Sequence, residues 1–156
     1  MNIRRATLAD KDLLLPLLRQ FELDDDYLPK AQRDFRAFRD PESAIQEDIE
    51  KWLSGSNWIV LIAEENGGLQ GFISGEVKEK KHRINNKEGY IDSLFVTKES
   101  RGKGIGKLLM DSISKEFKEL YCTHLALATH LDNKVAMSMY ENMGFIKRLV
   151  LFFKPL

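Results

Sequence analysis

Three glycines spaced two apart, in Arg101-Gly102-Lys103-Gly104-Ile105-Gly106-Lys107, sit where a strand-like run gives way to a helix-like one. Upstream, Tyr90-Ile91-Asp92-Ser93-Leu94-Phe95-Val96 follows Gly89 and is rich in β-branched and aromatic residues, which predicts a strand. Downstream, Ile105, Leu108, Leu109, Ile113, Phe117 and Leu120 recur at helical spacing and leave Asp111, Ser114, Lys115 and Lys118 to water. The chain must therefore fold so that a strand end lies beside a helix N-terminus.

That junction suits phosphate. The first turn of a helix presents unpaired N–H groups and the positive end of the helix dipole. Glycines let a ligand approach the backbone, and Arg101, Lys103 and Lys107 add positive charge. A plain strand-to-helix turn explains the stretch less well, because glycine at a helix start costs about 1 kcal/mol relative to alanine. Two familiar phosphate loops fail on spacing. A Walker loop needs glycine where Arg101 stands and Ser or Thr where Leu108 stands, and a dinucleotide fingerprint needs two residues where only Ile105 separates Gly104 from Gly106.

The stretch resembles motif A of the GNAT superfamily of N-acetyltransferases, Arg/Gln-x-x-Gly-x-Gly/Ala, with Arg101, Gly104 and Gly106 in the three defined positions and Leu94-Phe95-Val96 as the end of the preceding strand. Asn133, Ala136, Tyr140, Gly144 and Phe145 match a second family motif downstream. The two occur in the family's order and separation, and the resemblance covers nearly all of the chain. It implies an α/β (α+β) fold: a mixed, mostly antiparallel central sheet flanked by helices, with parallel fourth and fifth strands splayed apart.

Composition bounds the rest. The 156 residues suit one domain, 1–156, with one well-buried core. The 24 basic and 24 acidic side chains cancel, so no global field recruits nucleic acid or anionic membrane. The apolar runs are shorter than a bilayer span, and the N-terminus runs into a polar segment rather than a secretory core, so the expected location is the cytoplasm. Cys122 is the only cysteine; it excludes an internal disulfide and reads as a buried, inert thiol. His82, His124 and His130 form no metal-ligand pattern, and no metal is expected.

In chain order, Ile3 marks a first strand, and Thr7 with Asp10 a capping-box-like helix start, followed by the stripe Leu13, Leu14, Leu17, Leu18 and Phe21. Pro16 inside it predicts a kink or a late start. Asp24-Asp25-Asp26 predicts a polar loop, and Phe35 and Phe38 a short second helix. Asp40-Pro41 opens a helix carrying Ala44, Ile45, Ile49, Trp52 and Leu53 that stops at Ser54-Gly55. Trp58–Glu64 reads as a strand covered on both faces, Asn66-Gly67-Gly68 as a hairpin turn, and Leu69–Val77 as the returning strand. Lys78, Lys80, Lys81, Arg83 and Lys87 suggest a solvated hairpin tip. Thr123–Thr129 reads as a strand, Asn133 caps a helix bearing Val135, Ala136, Met139, Tyr140 and Met143, and Gly144 ends it. A last strand is expected from Phe145-Ile146 and Leu149–Phe153.

The resemblance assigns roles. Leu94, Phe95 and Val96 would hold the pantetheine arm of acetyl-CoA, and the amides of Gly102, Lys103, Gly104, Ile105, Gly106 and Lys107, with Arg101, would take the pyrophosphate. Asn133 would present polar atoms at the strand gap, although a cap is its simpler role. Tyr140 matches the tyrosine beside the CoA sulfur and is the candidate general acid, although periodicity alone reads it as core. Many family members carry a glutamate where this chain has Tyr90. Asp92, or Glu88 if the strand reaches back, could then act as the base through water, although an exposed, hydrogen-bonding carboxylate is the simpler role for each. From their charge and place rather than from the resemblance, Glu22, Asp24, Asp25 and Asp26 could attract a cationic amine, although a solvated acidic loop is the simpler reading, and His130, at the end of the fifth strand, could face the acceptor.

The implied activity is acetyl transfer from acetyl-CoA to a primary amine of a small molecule or peptide, by direct attack on the thioester. A CoA-binding sensor without turnover is the alternative, and a nucleotide-phosphate enzyme a third reading. A homodimer is compatible with the family, but no segment specifies an interface.

Overall fold

The computed structural model describes residues 1–23, 40–152 and 154. The expected acidic loop at Asp24–Asp26, the short helix around Phe35 and Phe38, and Phe153 lie outside them.

The sheet has five strands in the order β1-β2-β3-β4-β5: β1 (Asn2–Arg5), β2 (Trp58–Glu65), β3 (Gly68–Glu79), β4 (Lys87–Val96) and β5 (His124–Leu127). The first three neighbouring pairs are antiparallel, and β4 with β5 is parallel. The helices are α1 (Lys11–Leu23), α2 (Pro41–Ser54), α3 (Ile105–Glu119) and α4 (Lys134–Asn142). None of the described helices is long and apolar enough to cross a membrane.

The central strand β2 is buried from Trp58 to Ala63 because its alternate side chains serve two cores. Trp58, Val60 and Ile62 join Phe72 and Phe95 beneath α1 and α2, against Leu14, Leu18, Ile45, Ile49 and Trp52. Ile59, Leu61 and Ala63 join Ile73 and Ile91 beneath α3, against Ile105, Leu109, Met110, Ile113 and Phe117. The stripes read from sequence bury for the most part, but Leu13, Leu108, Leu120 and Val135 stay exposed, Val135 at 84%.

Local signals place the helix ends. Asp40 accepts the Ser43 N–H at 3.1 Å, and Asn133 accepts the Ala136 N–H at 3.2 Å. The Phe145 N–H reaches the Tyr140 carbonyl at 3.0 Å and the Gly144 N–H the Glu141 carbonyl at 3.0 Å, a Schellman closure with Gly144 at φ 88°. At α1 the Asp10 carboxylate accepts the Thr7 N–H at 2.8 Å and its hydroxyl at 3.0 Å. The turn 8–10 precedes α1, so the helix starts late and Pro16 falls within its second turn.

Two readings are corrected. The strand expected over Phe145–Phe153 is absent among the described residues 145–152, where Leu149 and Leu151 are 95% and 93% exposed. Alternating apolar residues meet no strand partner there, so β propensity has nothing to pair with. β5 is also shorter than read, four residues instead of Thr123–Thr129.

Candidate active site

The pairing of β4 with β5 covers only Glu88–Ile91 against His124–Leu127. β4 continues to Val96, still paired with β3, so from Asp92 to Val96 its β5 side faces no strand among the described residues. This is the splayed pair expected from the sequence, and it opens directly onto the glycine loop. Leu94 and Val96 are partly buried, whereas Phe95 turns into the α1/α2 core at 4% exposure.

The loop is pinned at both ends. The Thr97 N–H bonds the Gln70 carbonyl at 2.9 Å, and the buried Ser100 hydroxyl bonds the Gln70 side chain. Arg101 donates Nε to the Val96 carbonyl at 3.1 Å and lies 5.8 Å from the Phe95 ring, tying the loop to the strand end. Gly102 and Gly104 take φ of 75° and 79°, which side-chain-bearing residues rarely adopt, and Gly104 is the N-cap of α3. The ladder of α3 begins with Leu108 N–H to Gly104 C=O at 3.1 Å, so the amides of Ile105, Gly106 and Lys107 precede any intrahelical acceptor. Lys103 and Lys107 are exposed beside them.

A Cβ on Gly106 would meet Met139 Sδ at 3.5 Å and Val96 Cγ2 at 3.9 Å, which fixes α4 close to the first turn of α3 and the end of β4. Tyr140 follows Met139, is partly buried on the α3 side of the sheet, and stacks edge-on to Phe145 at 5.8 Å. Asn133 stands at the start of the same helix as its cap.

The other face of β4, which ends in the buried Phe95, is polar at Asp92 and Ser93. A register shift between Ser74 and Gly75 makes Asp92 the extra residue of a bulge between Ile91 and Ser93. Ser93 donates to Asp92 at 3.3 Å. Asp92 is reached by solvent, yet burial by the surrounding protein raises its pKa, with Lys51, Ser93 and Lys78 opposing and Glu76 adding to the shift. An open cleft wall gives both properties. Asp48 on α2 is raised by burial and then by repulsion from Asp92.

The strand does reach back to Glu88, but this residue is committed elsewhere. Its carboxylate accepts Lys80 Nζ at 2.8 Å and pairs with His124 Nε2 at 2.9 Å. Burial alone would raise its pKa, and these hydrogen bonds outweigh that and lower it. Tyr90 carries Lys78 Nζ 3.4 Å above its ring centroid, so part of the expected solvated tip is packed on the sheet. Glu22 is the only described member of the acidic acceptor group. Cys122 is partly buried and its pKa is raised by that burial. No group of metal-binding side chains occurs among the described residues.

Sequence reading missed Gln70, Ser100, Lys51 and Asp48. Only Asp48 left a signal, a carboxylate beside the stripe Ile45, Ile49 and Trp52.

Residues 20–145 match the Acetyltransferase (GNAT) family. N-alpha-acetyltransferase 30 of Saccharomyces cerevisiae (strain ATCC 204508 / S288c) is 35% identical over 75 residues, 48% of this chain and 43% of that one, so the matched stretch is under half of that relative. The tetramutant of the BH1408 protein from Bacillus halodurans superposes with a TM-score of 0.85 at 22% identity, covering 100% of both chains. AAC(6')-Iy in complex with the bisubstrate analog CoA-S-monomethyl-acetylneamine superposes with a TM-score of 0.77 at 18% identity, covering 99% of this chain and 98% of that one. At such identities the likeness is one of fold.

Proposed function

The chain belongs to the acetyltransferase (GNAT) family, and from that premise we propose that it moves an acetyl group from acetyl-CoA to a primary amine by direct attack on the thioester. The observation that carries this reading is the open β5-side edge of β4 from Asp92 to Val96, which leads without interruption into the amides at the start of α3. A pantetheine arm adds to such an edge as an extra strand, and its diphosphate then meets the amides of Ile105, Gly106 and Lys107. The names of the yeast relative and of the AAC(6')-Iy complex, with its CoA-linked acetylneamine, support an amine acceptor.

In the proposed reaction the acceptor ammonium gives a proton to Asp92, directly or through water. The neutral nitrogen attacks the thioester carbonyl carbon, and a strand amide near Val96 donates to the developing oxyanion. Such preorganised donors are worth about 3 kcal/mol. The C–S bond then breaks, the Tyr140 hydroxyl supplies the proton that the CoA sulfur takes up, and the nitrogen, becoming a neutral amide, releases its remaining extra proton to restore that hydroxyl through water. A raised carboxyl pKa brings Asp92 closer to the acidity suited to a base near neutral pH.

The test is CoA-thiol release from acetyl-CoA across a panel of peptide N-termini, polyamines and aminoglycosides, with the acetylated product identified by mass. Amine-dependent release supports the proposal. Tight CoA binding with no transfer to any amine would favour a CoA-binding sensor, and Tyr90 in place of a strand glutamate is the feature that motivates that second reading.

A further inference from the structure

We propose that Asp48 and Asp92 together grip the ammonium group of the acceptor, so that the site admits primary amines arriving as cations. This rests on the acetyl-transfer reading above and adds a residue from α2 to it.

The placement follows from register. Directly opposed residues of an antiparallel pair share a sheet face. Ser74 on β3 opposes Ser93 on β4, and Ser93 bonds to Asp92. Phe72, two residues before Ser74, packs 5.8 Å from the Trp52 ring of α2. Asp48 lies one turn before Trp52, on the flank of the same buried stripe. Asp92 is the extra residue of the bulge beside Ser93, a place where strands re-aim a side chain, and it lies near enough to Asp48 to act on it electrostatically.

Two further facts indicate that this region is built for a ligand. Ser74 Oγ and Trp52 Nε1 are both fully buried, and neither has a hydrogen-bond partner among the described residues. Buried polar atoms ordinarily find one, and the Ser74 hydroxyl, opposite Ser93 and so beside Asp92, is left with hydrogen-bonding capacity to spare. The nearby cations are also placed elsewhere. Lys51 Nζ lies 4.5 Å from the Trp58 ring centroid, and Lys78 Nζ pairs with Glu76 at 3.2 Å above Tyr90. Among the described residues neither Asp48 nor Asp92 has a cation in direct contact, although Lys51 is near enough to act electrostatically on both. Two nearby carboxylates without a contact cation repel each other, and an ammonium between them would remove that repulsion while each accepts a charge-assisted hydrogen bond.

The experiment titrates the full chain, labelled with ¹³C at aspartate carboxyls, with ethylammonium chloride and, at matched ionic strength, with sodium chloride. The expected result is that the Asp48 and Asp92 resonances move together on one saturating curve with ethylammonium and not with sodium. Asp48→Asn should weaken that binding, read at Asp92, on the order of tenfold. Asp48→Glu, which keeps the charge, should retain most of it, and Glu50→Gln, on the same helix, should leave it unchanged. Sodium reproducing the shifts, or Asp48→Asn in a folded chain leaving the affinity unaltered, overturns the proposal. Acetyl transfer is measured separately as thiol release. An active enzyme whose two aspartates ignore ethylammonium loses only this proposal, and an inactive chain that binds ethylammonium loses only the catalytic reading.

Discussion

Ile91 and Leu127 form the last rung between β4 and β5, and beyond them one strand of the parallel pair continues while the other ends. This rung marks the corner of the cleft. Apart from Asn133 and Tyr140 on α4, everything assigned to the acyl donor lies past it on β4, in the loop, or at the start of α3.

Gly106 tests the diphosphate assignment without a folding confound. Its φ is not in the left-handed region, its Cβ would make only ordinary contacts, and a carboxylate in the first turn favours the helix. Gly106→Glu should therefore keep or raise thermal stability while CoA affinity, measured by calorimetry, falls on the order of a hundredfold. Unchanged affinity in the folded variant would contradict the assignment.

Tyr140→Phe preserves the ring that packs on Phe145 and removes only the hydroxyl. With a thiolate as leaving group, kcat should drop by about 10²–10⁴-fold with CoA affinity intact. Wild-type turnover would return Tyr140 to a packing role.

The N-terminal ion cluster predicts acid sensitivity. Asp10 accepts Arg4 at 2.9 and 2.7 Å, and Arg4 also reaches Glu64 at 3.0 and 2.7 Å. The Arg4 hydrogen bonds hold the Asp10 carboxyl well below the usual carboxylate range. A carboxyl lowered in the folded state contributes stability that is fully present above its unfolded pKa, about 3.9, and is lost as pH falls through the folded value. Asp10→Asn should cost about 2 kcal/mol at pH 7 in urea unfolding, and the gap to wild type should shrink below about pH 4. A gap constant with pH would show that charge is not its source.

At the far end of α3, Tyr121 occupies the left-handed position of a Schellman closure at φ 60°, with Cys122 N–H on Phe117 C=O at 2.9 Å and Tyr121 N–H on Lys118 C=O at 3.0 Å. Its side chain is 84% exposed, so little packing is lost on removal. Tyr121→Gly should stabilise the fold by about 0.5–1 kcal/mol in denaturant unfolding. Destabilisation would mean that the ring makes contacts that outweigh the backbone strain.

How far the sequence reached follows from the range of each signal. The strand–glycine–helix junction, the Asp40 and Asn133 caps and the Gly144 stop are encoded within a few residues, and each was legible. The face of Asp92 depends on a bulge defined against β3, and the engagement of Glu88 depends on His124 and Lys80, so neither was visible along one strand. Asp48 comes within electrostatic reach of Asp92 only through the packing of α2 on the sheet. Leu149–Phe152 shows the converse error: a β-like pattern is a statement about available partners, and β5 offers none to these residues.

The central claim is that the turn after β4 grips the diphosphate while the open strand edge holds the pantetheine arm. An amide NMR titration of the ¹⁵N-labelled chain with CoA tests it most directly. The account predicts saturable binding with the largest shifts at Leu94–Val96 and at Gly102–Lys107. No binding, or shifts confined to other parts of the chain, would contradict it.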